Sequence, residues 1–169
     1  MKNLIHLPYG LAGAIYRSPM PFGAFDIDAT TLEEFRQAGI DLIVMLTTPE
    51  EDLARAGRDL EAFYLEEGYQ VIRLPIVDFD VPEDNVGLDI TLKETIARAE
   101  KGENIAVHCY AGRGRTGMFA ALLARRILKI DGLKAIEWTR QYFPAIETED
   151  QALMVIHDPT NTEEGRIDD

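Results

Sequence analysis

The feature that most constrains this chain is a short apolar stretch, Ile105 to His108, that runs into His108-Cys109-Tyr110-Ala111-Gly112-Arg113-Gly114-Arg115-Thr116-Gly117. A second apolar stretch follows, from Thr116 to Lys129. The first is too short for a helix and reads as a buried strand. The second reads as a helix, with Arg125, Arg126 and Lys129 near its C-terminal end, where the helix dipole favours cations. A strand that feeds a helix through a glycine-rich turn is half of a parallel β-α-β unit.

The rest of the chain keeps the same alternation. Strands are expected at Ala14 to Arg17, Asp41 to Leu46 and Tyr69 to Pro75. Between them, a helix capped by Thr30 or Thr31 closes at Gly39, and a helical stretch from Glu50 to Glu67 is open to division at Gly57. The segment Val77 to Asn85 is acidic, contains Pro82 and reads as a loop. Further helices are expected at Leu88 to Lys101, Leu133 to Tyr142 and Thr148 to Ile156. The fold class is therefore α/β, a central mostly parallel sheet flanked by helices. Residues 1–157 read as one domain, and 158–169 as an acidic, flexible C-terminal tail.

Composition narrows the function classes. At 169 residues, 46% hydrophobic and 28% charged, the chain suits one ordinary globular domain. No apolar run approaches the ~20 residues that cross a bilayer, and Met1 to Pro8 is a poor secretory signal, so a cytoplasmic location is expected. The net charge of −13 repels nucleic acid and anionic membranes, and neither is expected as a partner. The sequence holds one cysteine and three scattered histidines, which excludes an internal disulfide and gives no metal-ligand pattern. No metal and no cofactor are expected.

The glycine-rich segment carries the chemistry. A loop that wraps a phosphate must aim several backbone N–H groups inward, and glycine reaches the required dihedrals at low cost. The helix behind it points its positive end at the same spot. Tyr110, Ala111, Gly112, Arg113, Gly114 and Arg115 would form the phosphate cradle. Arg115 adds a planar fork able to hold two phosphate oxygens, which lysine does not offer. These donors also favour the thiolate of Cys109, making it a nucleophile. The hydroxyl of Thr116 can donate to the sulfur and help it leave. His108 suits ordering of the loop by hydrogen bonds better than it suits a base. The competing reading, an inert buried thiol at a strand-to-helix turn, leaves the arginine and the glycines without a reason.

The segment HCYAGRGRTG resembles the signature loop of the protein tyrosine phosphatase superfamily, and the chain is the size of a dual-specificity phosphatase. Ala14 to Ser18, Gly39 to Leu46 and Leu74 to Asp78 are similar to the opening half of the compact, atypical members, the kinase-associated type among them. Pro144 to Gln151 is similar to a stretch that several of them carry. The resemblance implies a phosphocysteine intermediate on Cys109 and a general acid on an upstream acidic loop. Asp78 and Asp80 both qualify. Asp78 is preferred, because the family places its acid four residues before a proline, as Asp78 stands before Pro82. Gln151 matches the glutamine that aligns water for hydrolysis, although an exposed helical glutamine would look the same. A thiolate and a protonated acid must coexist, so a bell-shaped pH dependence with a mildly acidic optimum is expected.

The substrate is less legible. The chain is too short for the elements that build a deep phosphotyrosine pocket, which implies a shallower site with Tyr110 as a wall. Phosphotyrosine or mixed phosphoprotein hydrolysis ranks first, and phosphatase action on soluble inositol phosphates or phosphoinositides second. Tyr110 stands where a lipid-directed loop would carry lysine. Arg113 is open to two readings, a substrate contact or a solvent-facing arginine paired with acids. Arg55, Arg58 and Arg73 could line the mouth of the site or pair with neighbours. A phosphate-binding module without turnover is the non-enzyme alternative, disfavoured because Cys109, Arg115, Thr116 and an upstream acid are all present.

Overall fold

The computed structural model describes residues 1–159. Its five-stranded sheet has the order β1-β2-β5-β3-β4, formed by β1 (Ile5–Leu7), β2 (Ile15–Ser18), β3 (Leu42–Met45), β4 (Gln70–Arg73) and β5 (Ile105–His108). Strands β2, β5, β3 and β4 run parallel, and β1 is antiparallel to β2. The helices are α1 (Thr31–Gln37), α2 (Pro49–Ala56), α3 (Leu60–Glu66), α4 (Asn85–Glu100), α5 (Gly114–Leu128), α6 (Gly132–Arg140) and α7 (Glu149–Ile156). The α/β class with a mostly parallel sheet is thus the observed one. The expected C-terminal tail, 158–169, lies outside the described residues from 160 onward.

The central strands β3 and β5 are buried at every position, as their unbroken apolar runs require when helices cover both faces. Alternate residues then feed two cores. Leu42, Val44, Ile105 and Val107 face α4, α5 and α6, while Ile43, Met45 and Ala106 face α1 and α3. Helix α5 carries the largest share of the first core, with Met118 to Ala124 almost wholly removed from water.

Three details depart from the expected elements, and a fourth decides a division that the sequence left open. Strand β1 was not foreseen; its three residues pair with β2 at the sheet edge. The stretch 50–67 does divide, at Gly57 in the left-handed region, and Asp59 caps the second piece. Helix α4 starts at Asn85 because Asp84 accepts from the Gly87 amide, three residues ahead of the first strongly apolar position. Neither Thr30 nor Thr31 caps α1 with its side chain; their hydroxyls go to Glu34 and Asp26 instead. Among the described residues no helix is long and apolar enough to cross a membrane.

Candidate active site

Cys109 sits at the C-terminal end of the central strand β5, and α5 begins five residues later at Gly114. The loop between them is held from behind. Tyr110 C=O accepts from the Met20 amide at 2.9 Å. Gly112 C=O accepts from Arg17 Nε and Nη2 at 2.9 and 2.7 Å, and Ala111 C=O from Arg17 Nη2 at 3.0 Å. These are the carbonyls that the first turn of α5 would use to continue a helix backwards. With these carbonyls committed to partners behind the loop, the N–H groups of the loop and first turn are left without helical partners, as an anion cradle requires. No side chain caps α5.

Arg17 is therefore a site residue that the loop sequence alone does not disclose. It reaches the loop because β2 lies beside β5, with Ser18 in register with His108. Burial pulls its pKa down to about 10, while the negative charge of Cys109 favours its charged form. Gly112 has φ +72°, and a Cβ there would stand 2.2 Å from the Ser18 carbonyl oxygen, so only glycine lets the loop close onto β2.

Arg115 is fully buried on the first turn of α5. Its guanidinium meets Glu51 in a two-point pair, Nη1 to Oε2 at 2.7 Å and Nη2 to Oε1 at 2.8 Å, and Nη1 also donates to the Ile76 carbonyl at 2.8 Å. Nη2 lies 3.0 Å from Asp78 Oδ1. Burial opposes its charge, but the Glu51 hydrogen bonds and the negative charges of Cys109, Glu51 and Asp78 outweigh that and raise its pKa above the ordinary value. Nε of Arg115 and the hydroxyl of Thr116 have no hydrogen-bond partner. The expected bond from Thr116 to the sulfur is thus not formed in this state, and that donor remains uncommitted.

The acidic loop presents its two candidate acids differently. Asp78 packs against the arginines, with Oδ2 3.0 Å from Arg55 Nη1 in addition to its contact with Arg115. Asp80 turns onto its own loop, accepting from the Val81 amide at 2.8 Å, and it pairs with no arginine. Between them Phe79 has φ +64°, a conformation seldom held by a bulky residue. Gln151 is buried rather than exposed. Its Oε1 accepts from the Glu147 amide at 3.0 Å, and its Nε2 donates to the Asp80 carbonyl at 3.3 Å, so it ties α7 to the acidic loop. It also approaches the cradle, where a Cβ on Gly114 would lie 3.2 Å from Nε2.

His108 lies beneath the loop. Its Nδ1 is 2.8 Å from the Cys109 carbonyl, which can only accept, so Nδ1 carries the proton. Nε2 then accepts from the Tyr64 hydroxyl at 2.9 Å. Complete burial lowers the pKa to about 4 despite the bond to the Cys109 carbonyl, leaving the ring neutral at pH 7 with both nitrogens committed. That arrangement orders the loop and leaves no nitrogen for proton transfer.

Of the flanking arginines, Arg73 pairs with Asp52 and Glu61, away from the nucleophile. Arg55 bridges Glu51 and Asp78 and lies 4.0 Å above the Tyr110 ring centre. Arg113 is exposed beside Phe25, and Arg58 lies over Phe22. The residues that sequence reasoning missed are Glu51 and Tyr64, together with the loop-holding role of Arg17. Glu51 is separated from Arg115 by 64 positions, and nothing local marks it. Among the described residues, no group of three or more His, Cys, Asp or Glu side chains converges as a metal site would require.

Known proteins share this fold and part of this sequence. The chain is 31% identical to protein tyrosine phosphatase domain-containing protein 1 of Bos taurus, over 73% of this chain but only 16% of that much longer protein. A crystal structure of kinase-associated phosphatase, with its catalytic cysteine replaced by serine, superposes with a TM-score of 0.78 over 90% of each chain at 22% identity. PTPMT1 in complex with PI(5)P superposes at 0.69, over 83% of this chain and 86% of that one, at 17% identity, which shows a shared fold. A family model described as polymorphic toxin system, DSP-PTPase phosphatase matches residues 22–127, a span that takes in the acidic loop, Cys109 and Arg115. With its sheet, its cradle and that match in agreement, this chain belongs to the DSP-PTPase phosphatase family.

Proposed function

We propose that this chain hydrolyses phosphomonoesters through a phosphocysteine on Cys109, with phosphotyrosine and mixed phosphoprotein segments as substrates. The observation that carries the reading is the cradle itself: carbonyls of the loop turned outward to Arg17 and Met20, with the buried Arg115 beside the cysteine. An anion is what such a set of inward donors is built to hold.

The mechanism follows from the groups in place. The Cys109 thiolate attacks phosphorus, and the bond from phosphorus to the leaving oxygen breaks. Arg115 and the loop amides stabilise the equatorial oxygens, where charge gathers. The protonated carboxyl of Asp78 gives its proton to the leaving oxygen. In the second step water attacks phosphorus and yields a proton to Asp78, and the sulfur–phosphorus bond breaks. The uncommitted hydroxyl of Thr116 donates to the departing thiolate. Gln151, whose amide reaches the acidic loop, is suited to hold the water. In the substrate-free state Asp78 rests on Arg115, so an arriving phosphate competes for that guanidinium and releases the acid toward the leaving group.

The test is phosphate release at pH 6 from phosphotyrosine and phosphoserine peptides, phosphoinositides and soluble inositol phosphates, with Cys109→Ser and Asp78→Ala run beside the wild type. Turnover of peptides, abolished by the first change and reduced about a hundredfold or more by the second, is the expected result. Phosphate binding without turnover of any substrate would overturn it and leave a recognition module.

A further inference from the structure

Most arginines of this acidic chain are committed. Among the described residues every one but two donates to a carboxylate or a backbone carbonyl. The two exceptions, Arg58 and Arg113, make neither a hydrogen bond nor an ion pair; Arg113 belongs to the Cys109 loop, and Arg58 follows three positions after Arg55, which stacks on Tyr110. Arg58 lies 3.7 Å from the ring centre of Phe22, and Arg113 lies 5.6 Å from that of Phe25. The two phenylalanines belong to one loop after β2, and both are more than a third exposed. Phe25 meets the Tyr110 ring edge-on at 5.1 Å, and Gly23 brings the loop close enough that a Cβ would lie 3.3 Å from the same ring. The result is an aromatic rim on one loop, Phe25 joined to the phosphate cradle through Tyr110 and Phe22 packed edge-on against Phe63 at 5.3 Å, with an unpaired guanidinium against each phenylalanine.

We infer that this rim is a second anion site, which selects phosphoprotein segments carrying an acidic or phosphorylated residue beside the scissile phosphate. The inference deepens the function proposed above and rests on it. An unpaired arginine laid on an aromatic face keeps its in-plane donors free for a carboxylate or phosphate while its position is fixed. The acidic loop, with Asp80, Glu83 and Asp84, reaches the same mouth through Asp78, which pairs with Arg55 and Arg115. A segment that presents its second anion to one side only is therefore accepted in one orientation. A compact polyanion with charge all round would meet that loop. The phenylalanine faces also suit the aryl body of a phosphotyrosine and the stems of its neighbours, which an inositol ring bearing phosphates lacks.

The experiment compares kcat/KM for paired phosphotyrosine peptides, with glutamate or with alanine flanking the phosphorylated residue on either side. Wild type, Arg58→Ala, Arg113→Gln and the double variant are assayed, with p-nitrophenyl phosphate as a substrate too small to reach the rim. The expected result is a preference of about fivefold for the acidic peptide, residing in KM and shrinking as salt is raised. It halves or better in each single variant and vanishes in the double variant, while Arg58→Ala turns over p-nitrophenyl phosphate as the wild type does. Equal preference in wild type and double variant would overturn the rim while leaving the phosphatase standing. Absence of turnover on every substrate would instead overturn the proposed function. Faster hydrolysis of a soluble inositol polyphosphate than of either peptide, lost in Arg58→Ala, would replace the phosphoprotein with a polyphosphorylated small molecule.

Discussion

Two helix starts a short distance apart show opposite solutions to the same physical problem. Each helix begins with N–H groups that have no intrahelical partner. At α7 they are satisfied inside the chain: Thr148 accepts from the Gln151 amide, and the Gln151 side chain reaches back to the Thr148 amide, a complete capping box. At α5 nothing caps the end, the preceding carbonyls are drawn away by Arg17 and Met20, and the threonine of the first turn has no partner for its hydroxyl. Buried, unmet donors weaken a fold, and a helix start that keeps them does so for a ligand. Both starts use threonine, so the difference lies in where the neighbouring backbone is sent.

The comparison can be broken first at the arginine. Arg115→Lys keeps a positive charge on α5 but loses the two-point fork to Glu51 and to phosphate. A loss of about a hundredfold in kcat/KM for p-nitrophenyl phosphate is expected. Retention of activity within a few-fold would show that point charge alone fills the cradle.

The pH dependence of stability reports on what lies beneath the α5 loop. His108 titrates near 6.5 in an unfolded chain but near 4 in the fold. Between those values the unfolded chain binds a proton that the folded one refuses, so stability falls as pH drops from 6.5 toward 4. The full difference is roughly 3 kcal/mol. Urea denaturation at pH 7 and pH 4.5 measures it, and His108→Gln should flatten the slope by about one proton.

Removing each threonine hydroxyl sharpens the contrast. Thr116→Val deletes a buried hydroxyl that has no partner, so stability should hold or rise slightly. Breakdown of the phosphocysteine should slow about tenfold, seen as a larger burst of leaving group before steady turnover. Thr148→Ala should do the reverse. It costs about 1 kcal/mol in thermal or urea unfolding and changes turnover less than about twofold. Equal stability losses at the two positions would dissolve the distinction between an open and a closed helix start.

Where the signal was local, it was legible. Strand β5 has the bounds expected from its apolar run, and the alternation of strand and helix held along the chain apart from the edge strand β1. Strand β1 escaped notice because three residues are too few for a period, and its pairing partner lies in the next segment. Helix α5 starts two residues earlier than expected because Gly114 and Arg115 already take helical dihedrals once the loop is pinned from behind. Arg113 looked equally able to pair with acids, and it stacks beside Phe25 because the loop after β2 folds over Tyr110.

What the sequence determined by itself is the chemistry of one continuous unit: a buried strand, a glycine loop and an apolar helix carrying Cys109, Arg115 and Thr116 within a few residues. Tertiary structure decided which groups complete it. Arg17 grips Gly112 across 95 positions, Tyr64 steadies His108 across 44, and Glu51 holds Arg115 across 64. Those partners are brought in by the parallel register of β2, β5 and β3 and by the packing of α2 and α3. Sheet register and helix packing are collective consequences of burying the whole core, and no local pattern of residue types encodes which distant side chain they deliver.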